Sequence, residues 1–344
     1  MTQEAVPEHY RAFVARGDGQ RPFGSVETLS RADLPDHAVT VRVEASSLNY
    51  KDALSAAGRP GVTRHYPFTP GIDAAGVVIA SHDARWAEGD RVIVTSYDLG
   101  MDTPGGFGEL VRVPGDWPLA MPPSWDAATA MAYGTAGLTA ALALARLERL
   151  EVQPGAGPVA VTGASGGVGT IAVALLAAAG HEVVAITGRA AAHDRLRGLG
   201  AHEIWEREAL LTGADRVLLR PDLAAAVDTV GGEPLAHLLK RVRPGGAVAA
   251  VGNVAGGELA TTVYPFILRG VALLGIDSAR CERSEREAAW TRLAGSELDD
   301  ALASSLHDVD LHGLEPMLAQ LLAGGVDGRV RLLHAPAGAS AARA

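Results

Sequence analysis

The run VAVTGASGGVGTIAVALL (159–176) constrains this chain more than any other segment. Gly163, Gly166, Gly167 and Gly169 fall within seven residues, directly after an apolar strand and at the opening of a small-residue helix. A turn this tight needs glycine where φ is positive. It also brings backbone N–H groups at a helix N-terminus up to a ligand, where the helix dipole favours the charge of a pyrophosphate. Around it lie further strand candidates: HEVVAIT (181–187), RVLLR (216–220), AAAVDTV (224–230), GAVAAVG (246–252) and VALLGID (271–277). A short helix is expected over 192–201, and helical patterns separate several of the strands. Near-continuous apolar strands alternating with helices predict an α/β fold, a doubly wound parallel sheet covered on both faces.

The glycine turn predicts that Ser165, Gly166, Gly167 and Val168 hold a dinucleotide pyrophosphate. A free ribose 2′-hydroxyl is usually held by an acid at the end of the second strand. Here that strand ends Thr187-Gly188-Arg189, with no acid. An arginine binds a 2′-phosphate bidentately where a carboxylate would repel it, so the expected cofactor is NADP(H). The competing reading of Arg189 is a solvated arginine at a helix start.

The first 130 residues read differently. VTVRVEAS (39–46), AAGVVIAS (74–81), RVIVTS (91–96) and ELVRVP (109–114) are short strands between turn signals, which indicates a sandwich or partly open barrel. The helix LEPMLAQLLAGG and the strand GRVRLLH (328–334) are most simply a return to this first domain, and the tail after Pro336 is expected to fray. With 30 basic and 40 acidic residues the net charge is −10, which argues against a nucleic-acid surface. Cys281 is the single cysteine, so the chain contains neither an internal disulfide nor a cysteine-built zinc site. The eleven histidines show no ligand spacing, and no metal is expected. The longest apolar stretch, Ile171 to Ile186, is interrupted by Gly180, His181 and Glu182 and is too broken to span a membrane. The segment MTQEAVPEHYRAF has no basic or apolar leader pattern, so a cytoplasmic protein is expected.

Only two of the basic residues are lysines, Lys51 and Lys240, and only two asparagines exist, Asn49 and Asn253. One of each sits side by side in SSLNYKDALSAAGRPG (46–61), followed by PFTPGIDAAGVV (67–78), EGDRV, GGFGELVRVP, AYGTAGLTAALAL (132–144) and then the glycine turn. DTVGG and TTVYPFILRGVALLGIDS (261–278) complete the series. In this order the segments resemble the medium-chain dehydrogenase/reductase superfamily, and within it the zinc-free quinone oxidoreductase-like branch, with greatest similarity to NADPH-dependent acrylyl-CoA reductases.

The resemblance implies a GroES-like β-rich domain over 1–130 and 307–344, and a Rossmann domain over 131–306 with a cofactor cleft between them. A homodimer joined along the Rossmann sheet edges near VALLGIDS is also implied. Zinc-dependent members carry a Gly-His-Glu run where this chain has Ile72 and Asp73. Without a metal, the implied chemistry is reduction of an activated C=C bond, with hydride added to the β-carbon of an α,β-unsaturated carbonyl compound. The site must then supply a donor for the enolate oxygen and a proton for the α-carbon.

Tyr50 is the first candidate for that proton and for contact with the cofactor, Lys51 the second, and water a third. Asp52 is expected to orient one of the two side chains, and Asn49 to hold the loop. Thr135 is placed as a partner of the nicotinamide amide, or else as a helix N-cap. Arg207 is a candidate for the adenosine end, and Ser278 and Arg329 for further cofactor contacts. Arg59, Arg64, His65 and Arg269 are candidates for a basic patch on coenzyme A phosphates. The functions left open are an enoyl-thioester reductase of the acrylyl-CoA type, a reductase of quinones, enones or enals, a secondary-metabolite enoyl reductase, and a non-catalytic NADPH-binding relative.

Overall fold

The computed structural model describes residues 6–213 and 215–335. The chain forms two compact units: one holds the described residues up to Thr135 and those from Leu306 onward, the other Ala136–Ser305.

In the first unit the strands run in the order Leu306–Val309, Arg329–Leu333, Val39–Leu48, Asp73–Ser81, Arg91–Thr95 and Leu119–Ala120, with Leu110–Val113 also paired on Val39–Leu48. The valine-rich alternation of these strands builds their shared core from Val39, Val41, Val43, Val78, Val92 and Val111. The return segment joins this sheet through the antiparallel register Val330–Leu48 to Leu333–Ala45. A separate hairpin, His9–Ala15 with Gly24–Ser30, was not anticipated from the sequence. Its second strand is mostly polar and half-exposed, so it carries little period-two signal.

The second unit is a six-stranded parallel sheet ordered Ala201–Trp205, Val183–Ile186, Val159–Thr162, Leu223–Asp228, Val242–Ala250 and Ala272–Gly275. Helices Gly167–Ala178 and Gly232–Arg241 connect strands of this sheet. This is the doubly wound arrangement expected. Two details differ. RVLLR (216–220) is not a strand: Val217 is exposed, Pro221 follows, and Leu219 makes an isolated backbone bond to the Lys240 carbonyl. Ala201–Trp205, in contrast, is an edge strand that the sequence hides, because four of its five residues keep solvent exposure.

The helix Ala127–Arg149 is apolar and long enough for a membrane span, but most of its apolar window is buried inside the fold. It also breaks at Gly134, whose φ of 51° and ψ of −151° are not helical. A Cβ there would lie 2.4 Å from Ser47 Oγ, 2.6 Å from Asp73 Oδ2 and 2.9 Å from Arg329 Nη2. The left-handed φ and the close approach both demand glycine. The tail after Pro336 lies outside the described residues. Gly134→Ala is expected to lower the unfolding free energy by about 2–4 kcal/mol, by combining backbone strain with a steric clash against buried polar groups. Urea unfolding followed by circular dichroism measures it, and a loss under about 0.5 kcal/mol, the scale of an ordinary surface substitution, would contradict the close packing described.

Candidate active site

In the second unit the site grows from the strand Val159–Thr162. Gly163 turns the chain with φ of 58°, and the Gly166 N–H bonds to the Gly163 carbonyl at 2.9 Å. Gly166 leads into the helix Gly167–Ala178 in an extended conformation. A Cβ on Gly169 would meet the Gly163 carbonyl at 2.2 Å, so the helix start lies directly on the turn. The result is a concave set of N–H groups at the helix N-terminus, a fit for a pyrophosphate. Arg195 braces it from behind, donating to the Ser165 carbonyl at 3.3 Å and to Ser305 Oγ at 2.9 Å. Asp228, buried at the end of its strand, accepts from Thr162 Oγ1 at 2.6 Å and from the Gly231 N–H at 2.7 Å. Burial raises its pKa against those two bonds.

The structure brings Ser165, Thr187, Gly188, Arg189 and Arg207 together. Thr187 Oγ1 donates to Ser165 Oγ at 3.0 Å and accepts from the Arg189 N–H at 3.1 Å. A Cβ on Gly188 would stand 3.5 Å from an Arg207 guanidinium nitrogen, so this second arginine lies over the same strand end. Ser278 does not join them: its hydroxyl accepts from Thr139 at 2.8 Å and its carbonyl from the buried Arg286 at 3.0 Å. Arg269, a candidate for the coenzyme A patch, donates to the carbonyls of Lys240, Val242 and Leu219. Its guanidinium is a clamp on the backbone rather than part of a substrate patch.

In the first unit the centre is Asp73, fully buried, a residue whose role the sequence reading missed. Its Oδ2 accepts from Ser47 Oγ at 2.5 Å, Asn49 Nδ2 at 2.8 Å and the Thr135 N–H at 2.9 Å; its Oδ1 accepts from Thr135 Oγ1 at 2.5 Å. Arg329 is buried beside it and donates to Ser47 Oγ at 2.7 Å, Asn49 Oδ1 at 3.1 Å and the carbonyls of Leu48 and Ala132. Burial lowers the Arg329 pKa, while Asp73 and Asp52 work to raise it. Arg329 thus donates to four acceptors inside the unit and holds the network together.

Asp52 shares Asn49 with this network. It is fully buried, with Oδ2 accepting from the Asn49 N–H at 2.7 Å and Oδ1 from the Ile72 N–H at 2.8 Å. It fixes the start of the helix Tyr50–Ala56 through Asn49 and Ile72, with no hydrogen bond to the Tyr50 or Lys51 side chain among the described residues. Tyr50 and Lys51 occupy the first turn of that helix, each half-buried. Among the described residues neither side chain has a hydrogen-bond or ion-pair partner. No group of three or more His, Cys, Asp or Glu side chains gathers in metal-binding geometry among the described residues.

A glycine cradle under a parallel sheet, two arginines at the second strand end, and a β-rich unit carrying two uncommitted ionisable groups define a dinucleotide-dependent oxidoreductase. Residues 35–123 match the alcohol dehydrogenase GroES-like domain family and residues 167–295 the zinc-binding dehydrogenase family. The chain is 44% identical over 306 residues to acrylyl-CoA reductase AcuI of Ruegeria pomeroyi, covering 89% of this chain and 93% of that protein. It is similar to the yhdH oxidoreductase of Salmonella enterica, solved in complex with NADP, with a TM-score of 0.90 and 40% identity over 94% of this chain and 99% of that one. It is also similar to Bacillus subtilis YhfP, solved with NAD bound, with a TM-score of 0.90 and 43% identity over 95% of this chain and 100% of that one. The chain therefore belongs to the medium-chain dehydrogenase/reductase superfamily, in its zinc-free, quinone oxidoreductase-like branch.

Burial, reinforced by the neighbouring Asp73 carboxylate, pushes Asp52 up to about 7 against the pull of the Asn49 and Ile72 N–H groups. A carboxyl raised in the folded state from an unfolded value of 3.8 contributes stability that is full below about 4 and lost as pH rises through about 7. The slope from this one group is at most about 1.4 kcal/mol per pH unit. Titration of the Asp52 carboxyl carbon by NMR is expected to show a midpoint near 7, and a midpoint below 4 would reverse the sign of this contribution.

Proposed function

We propose that this protein is an NADPH-dependent reductase of an α,β-unsaturated thioester of the acrylyl-CoA type. The single observation that carries the cofactor half is the strand end Thr187-Gly188-Arg189, with Arg207 drawn over Gly188 and no carboxylate in the position that would hold a free ribose hydroxyl. The similarity to an acrylyl-CoA reductase and to an NADP complex supports the same reading. The NAD complex of Bacillus subtilis YhfP makes the choice between the two cofactors one to measure.

When bound, the reduced nicotinamide supplies a hydride to the β-carbon of the substrate. The chain's own residues do the rest. The Gly163–Gly169 cradle presents N–H groups to the pyrophosphate, and Arg189 with Arg207 binds the 2′-phosphate by charge-assisted hydrogen bonds. As hydride arrives, charge builds on the substrate's carbonyl oxygen. Lys51, a compact cation with three donors, stabilises that oxygen. Tyr50 gives its phenolic proton to the α-carbon. Asn49 and Asp52 hold the helix start that carries both. A reductase of quinones or free enones on the same residues is the second reading, favoured by the quinone oxidoreductase relatives. The exposed side chains Tyr264, Ile267, Leu268 and Leu273, beside the edge strand Ala272–Gly275, support a homodimer formed along that edge. The cytoplasmic location expected from the sequence stands as part of the same proposal.

The test is steady-state reduction of acrylyl-CoA, crotonyl-CoA, a free enone and a quinone with NADPH and with NADH. Acrylyl-CoA and NADPH are expected to give the highest kcat/KM, and Arg189→Ala to raise the KM for NADPH about 10- to 150-fold with little change for NADH. Preference for NADH in the unaltered protein would refute the cofactor assignment, and preference for the quinone would transfer the substrate assignment to the second reading. Lys51→Arg, which keeps the charge but not the compact donor, is expected to lower kcat and kcat/KM together by about 10²–10⁴. Unchanged turnover across pH 6–9 would remove Lys51 from the chemistry.

A further inference from the structure

Each carbonyl of the glycine turn, from Gly163 to Gly166, accepts a hydrogen bond within the second unit. Gly163 accepts from the Gly166 N–H at 2.9 Å and Gly166 from the Thr170 N–H at 2.9 Å, so these two are held by the turn's own backbone. The two between them are held by side chains. Ser165 accepts from Arg195 Nη2 at 3.3 Å, and Ala164 from Thr170 Oγ1 at 3.3 Å. Arg195 Nη1 also donates to Thr170 Oγ1 at 3.2 Å and to the buried Ser305 Oγ at 2.9 Å. A guanidinium has only donors, so Thr170 accepts from Arg195 and its single proton goes to Ala164. Both side-chain bonds on the turn therefore trace to Arg195. The N–H groups left without an intrahelical acceptor are those of Gly167, Val168 and Gly169, the first turn of the helix Gly167–Ala178.

We infer that Arg195 is a positioning residue for the cofactor's pyrophosphate. It holds the Ser165 carbonyl directly and the Ala164 carbonyl through Thr170, so that the turn offers a diphosphate N–H groups and no lone pairs. A carbonyl rotated toward a phosphate oxygen would set acceptor against acceptor and the wrong end of a dipole against a negative charge. The inference rests on the reading of this turn as a dinucleotide site. NADPH and NADH share the pyrophosphate, so Arg195 acts on both alike. Arg189 and Arg207, which that reading assigns to the 2′-phosphate, act on NADPH alone.

The test is calorimetric binding to the full chain of two fragments of the cofactor. ADP-ribose carries the pyrophosphate without the 2′-phosphate, and 2′-AMP carries the 2′-phosphate without the pyrophosphate. Arg195→Leu is expected to weaken ADP-ribose about tenfold and 2′-AMP by less than about twofold, the scale of one lost charge-assisted hydrogen bond felt at the pyrophosphate only. NADP⁺ and NAD⁺ are expected to weaken by the same factor as each other. Thr170→Val, which keeps the side-chain shape and removes the hydroxyl, is expected to weaken ADP-ribose about threefold, again without loss of 2′-AMP. The double variant is expected to bind ADP-ribose no more weakly than Arg195→Leu alone, because Thr170 acts through the arginine.

ADP-ribose affinity unchanged by Arg195→Leu would overturn the inference, and so would an equal loss for 2′-AMP, which would make the arginine a general support of the fold. Losses that multiply in the double variant would overturn the relay through Thr170. If Arg195→Leu does not fold, Thr170→Val decides on its own, and unchanged ADP-ribose affinity in that variant overturns the inference. An unaltered protein that binds ADP-ribose but not 2′-AMP would refute the NADPH assignment alone, and the ADP-ribose affinities of the variants would still decide this one. If neither fragment binds, the dinucleotide reading falls and the inference with it.

Discussion

The first unit depends on how one buried negative charge is satisfied. A carboxylate taken out of water is costly unless donors meet every lone pair. Asp73 meets Ser47 from the strand Val39–Leu48, Asn49 from the turn after it, and both the N–H and the hydroxyl of Thr135. Arg329 arrives from a strand some 250 residues further along the sequence and shares Ser47 and Asn49 with it. The break at Gly134 is the backbone's answer to the same demand, because only a non-helical glycine lets the Thr135 N–H reach the carboxylate. The Tyr50–Lys51 helix start inherits its position from these bonds through Asn49.

What the sequence disclosed and what it hid follow one rule. Features imposed by local backbone geometry were legible. The glycine turn is one, since positive φ and close approach leave their mark in residue type. The buried parallel strands are another, since they read as apolar runs. Features imposed by tertiary placement were not. Ala201–Trp205 and the N-terminal hairpin are strands because neighbours pair with them, while RVLLR has strand composition without a neighbour to pair with. Asp73 did carry a signal: a lone acid at the head of the apolar run IDAAGVV must be buried with partners. Which partners, and that Arg329 and Asp52 would be consumed inside the same network, could not be read from spacing.

The two units divide the work in different physical terms. The second presents backbone N–H groups at a helix start, a geometry dependent on glycine, beside the Arg189 and Arg207 side chains at the next strand end. The first is built on a buried side-chain network around Asp73, sensitive to single-atom changes. Substitutions therefore act differently in the two, through sterics in the cradle and through hydrogen-bond polarity around Asp73.

The place of the strand Arg329–Leu333 has a consequence for the order in which the molecule can be assembled. It is an interior strand, between Leu306–Val309 and Val39–Leu48. During synthesis Asp73 emerges some 250 residues before the guanidinium that balances it. The second unit, Ala136–Ser305, is complete in sequence before that strand exists. The β-rich unit's sheet order can be completed only after the sequence of the second unit has been made.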